Sequence, residues 1–127
     1  MSNQNAIASA YLVKCVLGNV GLPGAPVASL ALVVTPASRK ITGYVEITQA
    51  TQGGNYSGPV QGTMFSTGLG EVTQVAALTG MIHADGPMPI EIPFEAHLAI
   101  TKDWTGTGGF SYANVHVDHV PLKMISQ

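Results

Sequence analysis

The chain has 127 residues, enough for a single domain with its own core, and carries a formal charge of -2 with only 9% charged residues. Its cations, Lys14, Arg39, Lys40, Lys102 and Lys123, are scattered, so no basic stripe exists to neutralise phosphates and nucleic acid is excluded as a partner. Hydrophobic residues make up 46% of the chain and recur at strand spacing, which excludes disorder; no apolar stretch approaches the ~20 residues of a membrane-spanning helix.

Met1 to Ala6 is polar and unpatterned and reads as a frayed terminus of one β domain spanning residues 1–127. A first strand is predicted from Ala8 to Leu17, with Tyr11, Val13, Cys15 and Leu17 on one side. Gly21-Leu22-Pro23-Gly24-Ala25-Pro26 combines residues that tolerate positive φ with residues that cannot donate to a ladder, so it forms a loop. The second strand, Ala28 to Val34, is nearly all apolar and is expected to be buried on both faces.

After a turn over Thr35 to Lys40, the third strand alternates, with Ile41, Gly43, Val45 and Ile47 inward. Pairing Val34 with Ile41 sets Leu32 opposite Gly43, Leu30 opposite Val45 and Ala28 opposite Ile47, so the two apolar faces coincide. Gln52 to Pro59 reads as a loop, Val60 to Ser66 as a fourth strand, Thr67 to Gly70 as a turn and Val72 to Ala84 as a fifth strand. Beyond Asp85-Gly86-Pro87-Met88-Pro89, two strand-like runs, Ile90 to Thr101 and Phe110 to Val120, flank a Gly/Thr-rich turn. Pro121 to Ile125 reads as a short edge strand, because a leading proline suits an edge.

No window has helical periodicity, so the fold is all-β and antiparallel, with seven or eight strands. Gly43, Gly62 and Gly80 lie within strands, where they favour bending, so an up-and-down barrel or strongly curved sheet is preferred to a β-sandwich.

Pairing Thr101 with Phe110 places Glu95 opposite His116 and His97 opposite Asn114, with Asp118 one pleat further. Phe94, Ala96, Leu98, Val115 and Val117 then share the buried face. Two imidazoles beside carboxylates are a legitimate ligand-binding set, but an exposed sheet face also carries such pairs at little energetic consequence, and no metal or cofactor is assigned. Trp104 suits either closure of one core end or a stacking platform for a sugar ring, and Tyr44, Tyr56 and Tyr112 are read as outward or loop residues able to join a ligand surface. Cys15 is the single cysteine and reads as a small core residue; no serine lies in a nucleophile elbow, and Gly68-Leu69-Gly70 lacks the context of a dinucleotide loop.

Gly21-Leu22-Pro23-Gly24-Ala25-Pro26 runs into Ser29-Leu30-Ala31-Leu32-Val33-Val34 and then Ile41-Thr42-Gly43-Tyr44-Val45-Glu46-Ile47-Thr48-Gln49-Ala50. With Ala96-His97-Leu98-Ala99-Ile100, Asp103-Trp104 and Phe110-Ser111-Tyr112, this series resembles a small bacterial family catalogued as a domain of unknown function, over about residues 20 to 113. The resemblance implies a small β domain from a bacterial source and brings no activity or catalytic residues.

The expected function is non-catalytic, through self-association or protein binding, with a homo-oligomer as the assembly, because the run Leu30 to Val34 calls for cover. The alternative is a barrel that takes a small apolar ligand in room left by Gly43, Gly62, Ala76, Gly80 and Ala96, or a glycan on its aromatics. An enzyme is the third class. With no secretory leader pattern in the first residues, cytoplasmic residence is the default expectation, with leaderless export open.

Overall fold

A computed structural model of the protein describes residues 10–48, 55–68, 70, 72–84 and 90–126. The frayed terminus expected at Met1 to Ala6 and the segment Asp85 to Pro89 lie outside the described residues, as do residues 52–54 of the Gln52 to Pro59 loop.

Among the described residues, eight strands follow one another: β1 (Tyr11–Gly18), β2 (Val27–Thr35), β3 (Lys40–Thr48), β4 (Tyr56–Ser66), β5 (Gln74–Ala84), β6 (Glu91–Ile100), β7 (Gly106–Tyr112) and β8 (Val115–Ser126). Each pairs antiparallel with the next, and β8 returns to pair with β1, closing an up-and-down barrel. A 3-10 turn, Lys102–Trp104, links β6 to β7. Closure pairs both outermost strands, so the described strands have no free edge.

Alternation drives this arrangement. Val13, Cys15 and Leu17 of β1, Ala28, Leu30, Leu32 and Val34 of β2, and Ile41, Val45 and Ile47 of β3 point into the barrel and are buried. Phe94, Ala96, Leu98 and Ile100 of β6 with Phe110 and Tyr112 of β7 fill the opposite wall. Outward positions carry Lys14, Glu46, Glu95 and Asp118, among others. No described helix is long and apolar enough to cross a membrane.

The β2–β3 ladder has the predicted register, from Val34↔Ile41 to Ala28↔Ile47. Its outer face is open, however: Ser29 and Ala31 are half-buried and Val33 is exposed, so β2 is not covered on both sides within one chain. The strand glycines sit where neighbouring backbones approach. A Cβ on Gly62 would stand 1.8 Å from the carbonyl oxygen of Ala77, and one on Gly43 would stand 2.2 Å from that of Ala31. These glycines therefore permit strong bending and the close approach of neighbouring strands.

Several boundaries differ from the sequence reading. β4 starts at Tyr56, taking in Gly58 and Pro59; its ladder with β5 pairs Ser57↔His83 and resumes at Val60↔Gly80, passing a proline that has no N–H to give. β5 starts at Gln74 rather than Val72. Gly106 to Gly109 belongs to β7, not to a turn. The run from Phe110 to Val120 is broken by a two-residue turn at Ala113-Asn114, with Ala113 at φ 50, so Tyr112 pairs with Val115 and β8 neighbours β7 instead of β6. Such a turn puts both flanking residues on one side of the sheet, so Tyr112 and Val115 both face inward. Pro121 to Ile125 continues β8 and closes the barrel against β1, so it is not an edge strand.

Candidate functional site

The polar cluster expected near the C-terminal strands lies on the outer surface of β5 to β8, through a register different from the one predicted. Ala96 pairs with Phe110, so Glu95 stands beside Ser111 and His97 beside Gly109. Ser111 in turn pairs with His116, giving an outward row Thr79–Glu95–Ser111–His116 across four strands. Glu95 and His116 thus share a face but are separated by β7, about two strand spacings of 4.8 Å.

A second row holds His97, Gly109 and Asp118. The β7–β8 ladder passes from Gly108↔Val120 to Phe110↔Val117, so Asp118 and His119 together oppose Gly109 in a bulge, with His119 at φ 54. Because Gly109 has no side chain, the ends of His97 and Asp118 lean over it: a Cβ there would meet Asp118 Oδ1 at 2.7 Å and His97 Cε1 at 2.8 Å. His97 Nε2 lies 4.0 Å from Asp118 Oδ1, with side chains 67% and 70% exposed. Glu95, His97, Ser111, His116 and Asp118 line a shallow cleft of about 300 Å³. Among the described residues, no three His, Cys, Asp or Glu side chains are grouped to hold a metal ion.

The other predicted site residues scatter. Asn114 is exposed in the β7–β8 turn, away from His97. Trp104 is buried at one end of the barrel, and its Nε1–H donates to the Tyr11 hydroxyl at 3.3 Å, so its ring offers no open face to a sugar. Tyr112 is buried rather than outward, stacked on Phe110 at 6.1 Å between ring centres and tilted against Tyr56 at 5.3 Å. Burial, and then the neighbouring Tyr56, pushes its hydroxyl pKa up. Tyr44 is outward on β3 and donates to Ser57 Oγ at 3.3 Å. Cys15 is fully buried, and desolvation pushes its thiol pKa up to about 12, leaving essentially no thiolate at neutral pH.

Two features escaped the sequence reading. His83 Nε2 contacts Glu91 Oε2 at 2.8 Å, directly across the β5–β6 ladder, a pairing that only that register reveals. The larger feature is an apolar flank along the β8–β1 seam. Val16, Pro121 and Ile125 on the strands, with Val20 and Leu22 on the β1–β2 loop, line a cleft of about 670 Å³ beside Lys123. Val20 is 73% exposed and Ile125 61%. The flank continues across β1 and β2 through Leu12 and Val33, which are outward neighbours.

The sequence profile of DUF1842, a domain of unknown function, matches residues 8–117, most of the barrel. The chain belongs to this family. No curated protein matches it. The DUF1842 match ends inside β8 at Val117, just before the bulge; Val120, Leu122 and Met124, which complete the barrel wall, follow it.

Proposed function

We propose that this DUF1842 domain is non-catalytic and works by self-association. The observation that carries this reading is the apolar flank along the β8–β1 seam, where Val20, Leu22 and Ile125 stand open to solvent. A cluster of exposed apolar side chains on a small domain marks an interaction site, because its burial on association is favourable. The features that catalysis would need point the other way. Cys15 is buried as a neutral thiol, and the His97–Asp118 cluster lies in a shallow cleft open to water rather than at the floor of an enclosed pocket. Size-exclusion chromatography with light scattering tests the reading: a dimer or larger species is expected at micromolar concentration, and a strict monomer overturns it.

A second reading is favoured by the size of the seam cleft, since about 670 Å³ falls within the range of small-molecule sites. On that reading an apolar ligand binds outside the barrel, between the β1–β2 loop and β8, rather than within it. Saturable binding of a fluorescent apolar probe, lost on Val20→Ser with Ile125→Ser, would support it; unchanged binding in that variant would remove it.

A further inference from the structure

The outer face of β1, β2 and β3 continues the apolar flank, and its charges are arranged in opposition. Lys14 on β1 pairs with Ala31 on β2, while Glu46 on β3 pairs with Ser29 on β2. One cation and one anion therefore lie one strand to either side of β2, displaced along it by one outward position. Between them, Ser29 and Ala31 present small side chains, and the same shallow cleft is bordered by Tyr44 and Ile125. Leu12 and Val33 extend the apolar area along the strands. Both Lys14 and Glu46 are exposed, and among the described residues neither makes an ion pair within the chain.

We infer that this face is a two-fold interface with a second copy of the chain, in which Lys14 of each protomer meets Glu46 of its partner. This rests on the self-association proposed above and supplies its geometry. A two-fold axis lying in the interface plane, over Leu30 of β2 and perpendicular to the line from Lys14 to Glu46, sets each of these residues opposite the other on the facing copy, so one rotation forms both ion pairs. The small side chains of Ser29 and Ala31 let the curved surfaces approach closely enough for the longer side chains of Lys14 and Glu46 to meet. A partner of a single charge sign would satisfy one of these residues and repel the other. The complement required is an anion and a cation at exchanged positions around an apolar centre, and this face itself provides it. An interface of this kind uses the same patch on both subunits, so assembly stops at the dimer.

Charge reversal tests the pairing. Lys14→Glu and Glu46→Lys each place like charges together twice per dimer, and each is expected to weaken dimerisation by about tenfold or more, read by light scattering across a dilution series. The double variant restores both pairs and regains the wild-type midpoint. Mixing the two single variants in equal amounts also restores both pairs, since the carboxylate introduced at position 14 of one chain then faces the ammonium introduced at position 46 of the other, and a heterodimer forms. Far-UV circular dichroism checks that the single variants remain folded.

Three outcomes overturn the inference while self-association stands: single variants that dimerise like the wild type, single variants weakened with no recovery in either the double variant or the mixture, and a mass that grows beyond the dimer with concentration. A wild-type chain that remains strictly monomeric overturns both.

Discussion

The hairpins β2–β3 and β7–β8 fill the barrel by different means. In β2–β3, nine residues pair with nine without a break, and aliphatic side chains of similar size, Leu30, Leu32, Val34, Ile41, Val45 and Ile47, surround one bare inner position, Gly43. In β7–β8, Gly106 and Gly108 leave the inner face bare while Phe110 and Tyr112 occupy the adjoining positions, and a bulge shifts the register beside Gly109. The first hairpin repeats a unit; the second sets large against absent. A wall of repeated aliphatics tolerates the trimming of one member, whereas a wall resting on a few rings depends on each.

The strongest test of that contrast trims one side chain from each. Phe110→Ala is expected to cost about 4 kcal/mol and Val45→Ala about 2 kcal/mol, because the ring leaves the larger cavity. Denaturant unfolding reads both, and equal losses would erase the distinction. The bare positions supply the next test. A Cβ on Gly108 would stand 2.3 Å from the carbonyl oxygen of His97, much as one on Gly43 would approach Ala31, so Gly108→Ala and Gly43→Ala should each lose about 2 kcal/mol. A neutral Gly108→Ala would mean that the bulged hairpin relaxes where the regular one cannot.

Strand β1 pairs with both β2 and β8 and carries the buried Cys15. In the unfolded chain a thiol ionises near its ordinary value of 9.0, whereas Cys15 keeps its proton until about 12. Through that window the unfolded state binds fewer protons, so stability falls as pH rises, on the order of 1.4 kcal/mol per pH unit. Urea titrations at pH 9 and about one unit above should show this slope, and Cys15→Ala, though less stable, should lack it. The smallest effect belongs to the outer surface of β6–β8. His97→Ala and Asp118→Ala should each change stability by less than about 0.5 kcal/mol, given their exposure and separation. A loss above about 1 kcal/mol in either, measured by the same unfolding, would show that the cluster braces the bulge.

The two hairpins also mark how far the fold could be read from the chain. The β2–β3 register followed from one pairing, Val34 with Ile41, because alternation runs unbroken on both sides of a recognisable turn. The β7–β8 register was hidden because Ala113-Asn114 lacks the glycine that usually announces a two-residue hairpin, and because apolar residues continue on both sides of it. Reading through the turn reversed the side assigned to Tyr112 and placed Asn114 beside His97. Glu95, His97 and His116 were nevertheless grouped on one face, since the extra strand between β6 and β8 preserved their outward direction. The seam cleft was illegible for a different reason. It joins Val16 and Val20 to Pro121 and Ile125 across the closure of the barrel, and that closure leaves no local mark in the chain.

Every ladder but one joins strands adjacent in the chain and can zip outward from its own turn. The β1–β8 seam must wait until the strands from opposite ends of the described fold have found one another, and loop-closure entropy makes such distant pairing a slow event. Until then both strands present raw backbone along their free sides, next to the apolar Val16 and Ile125. The same join that leaves the finished barrel without a sticky margin therefore makes its nascent form most vulnerable to aggregation in the interval before the ring shuts.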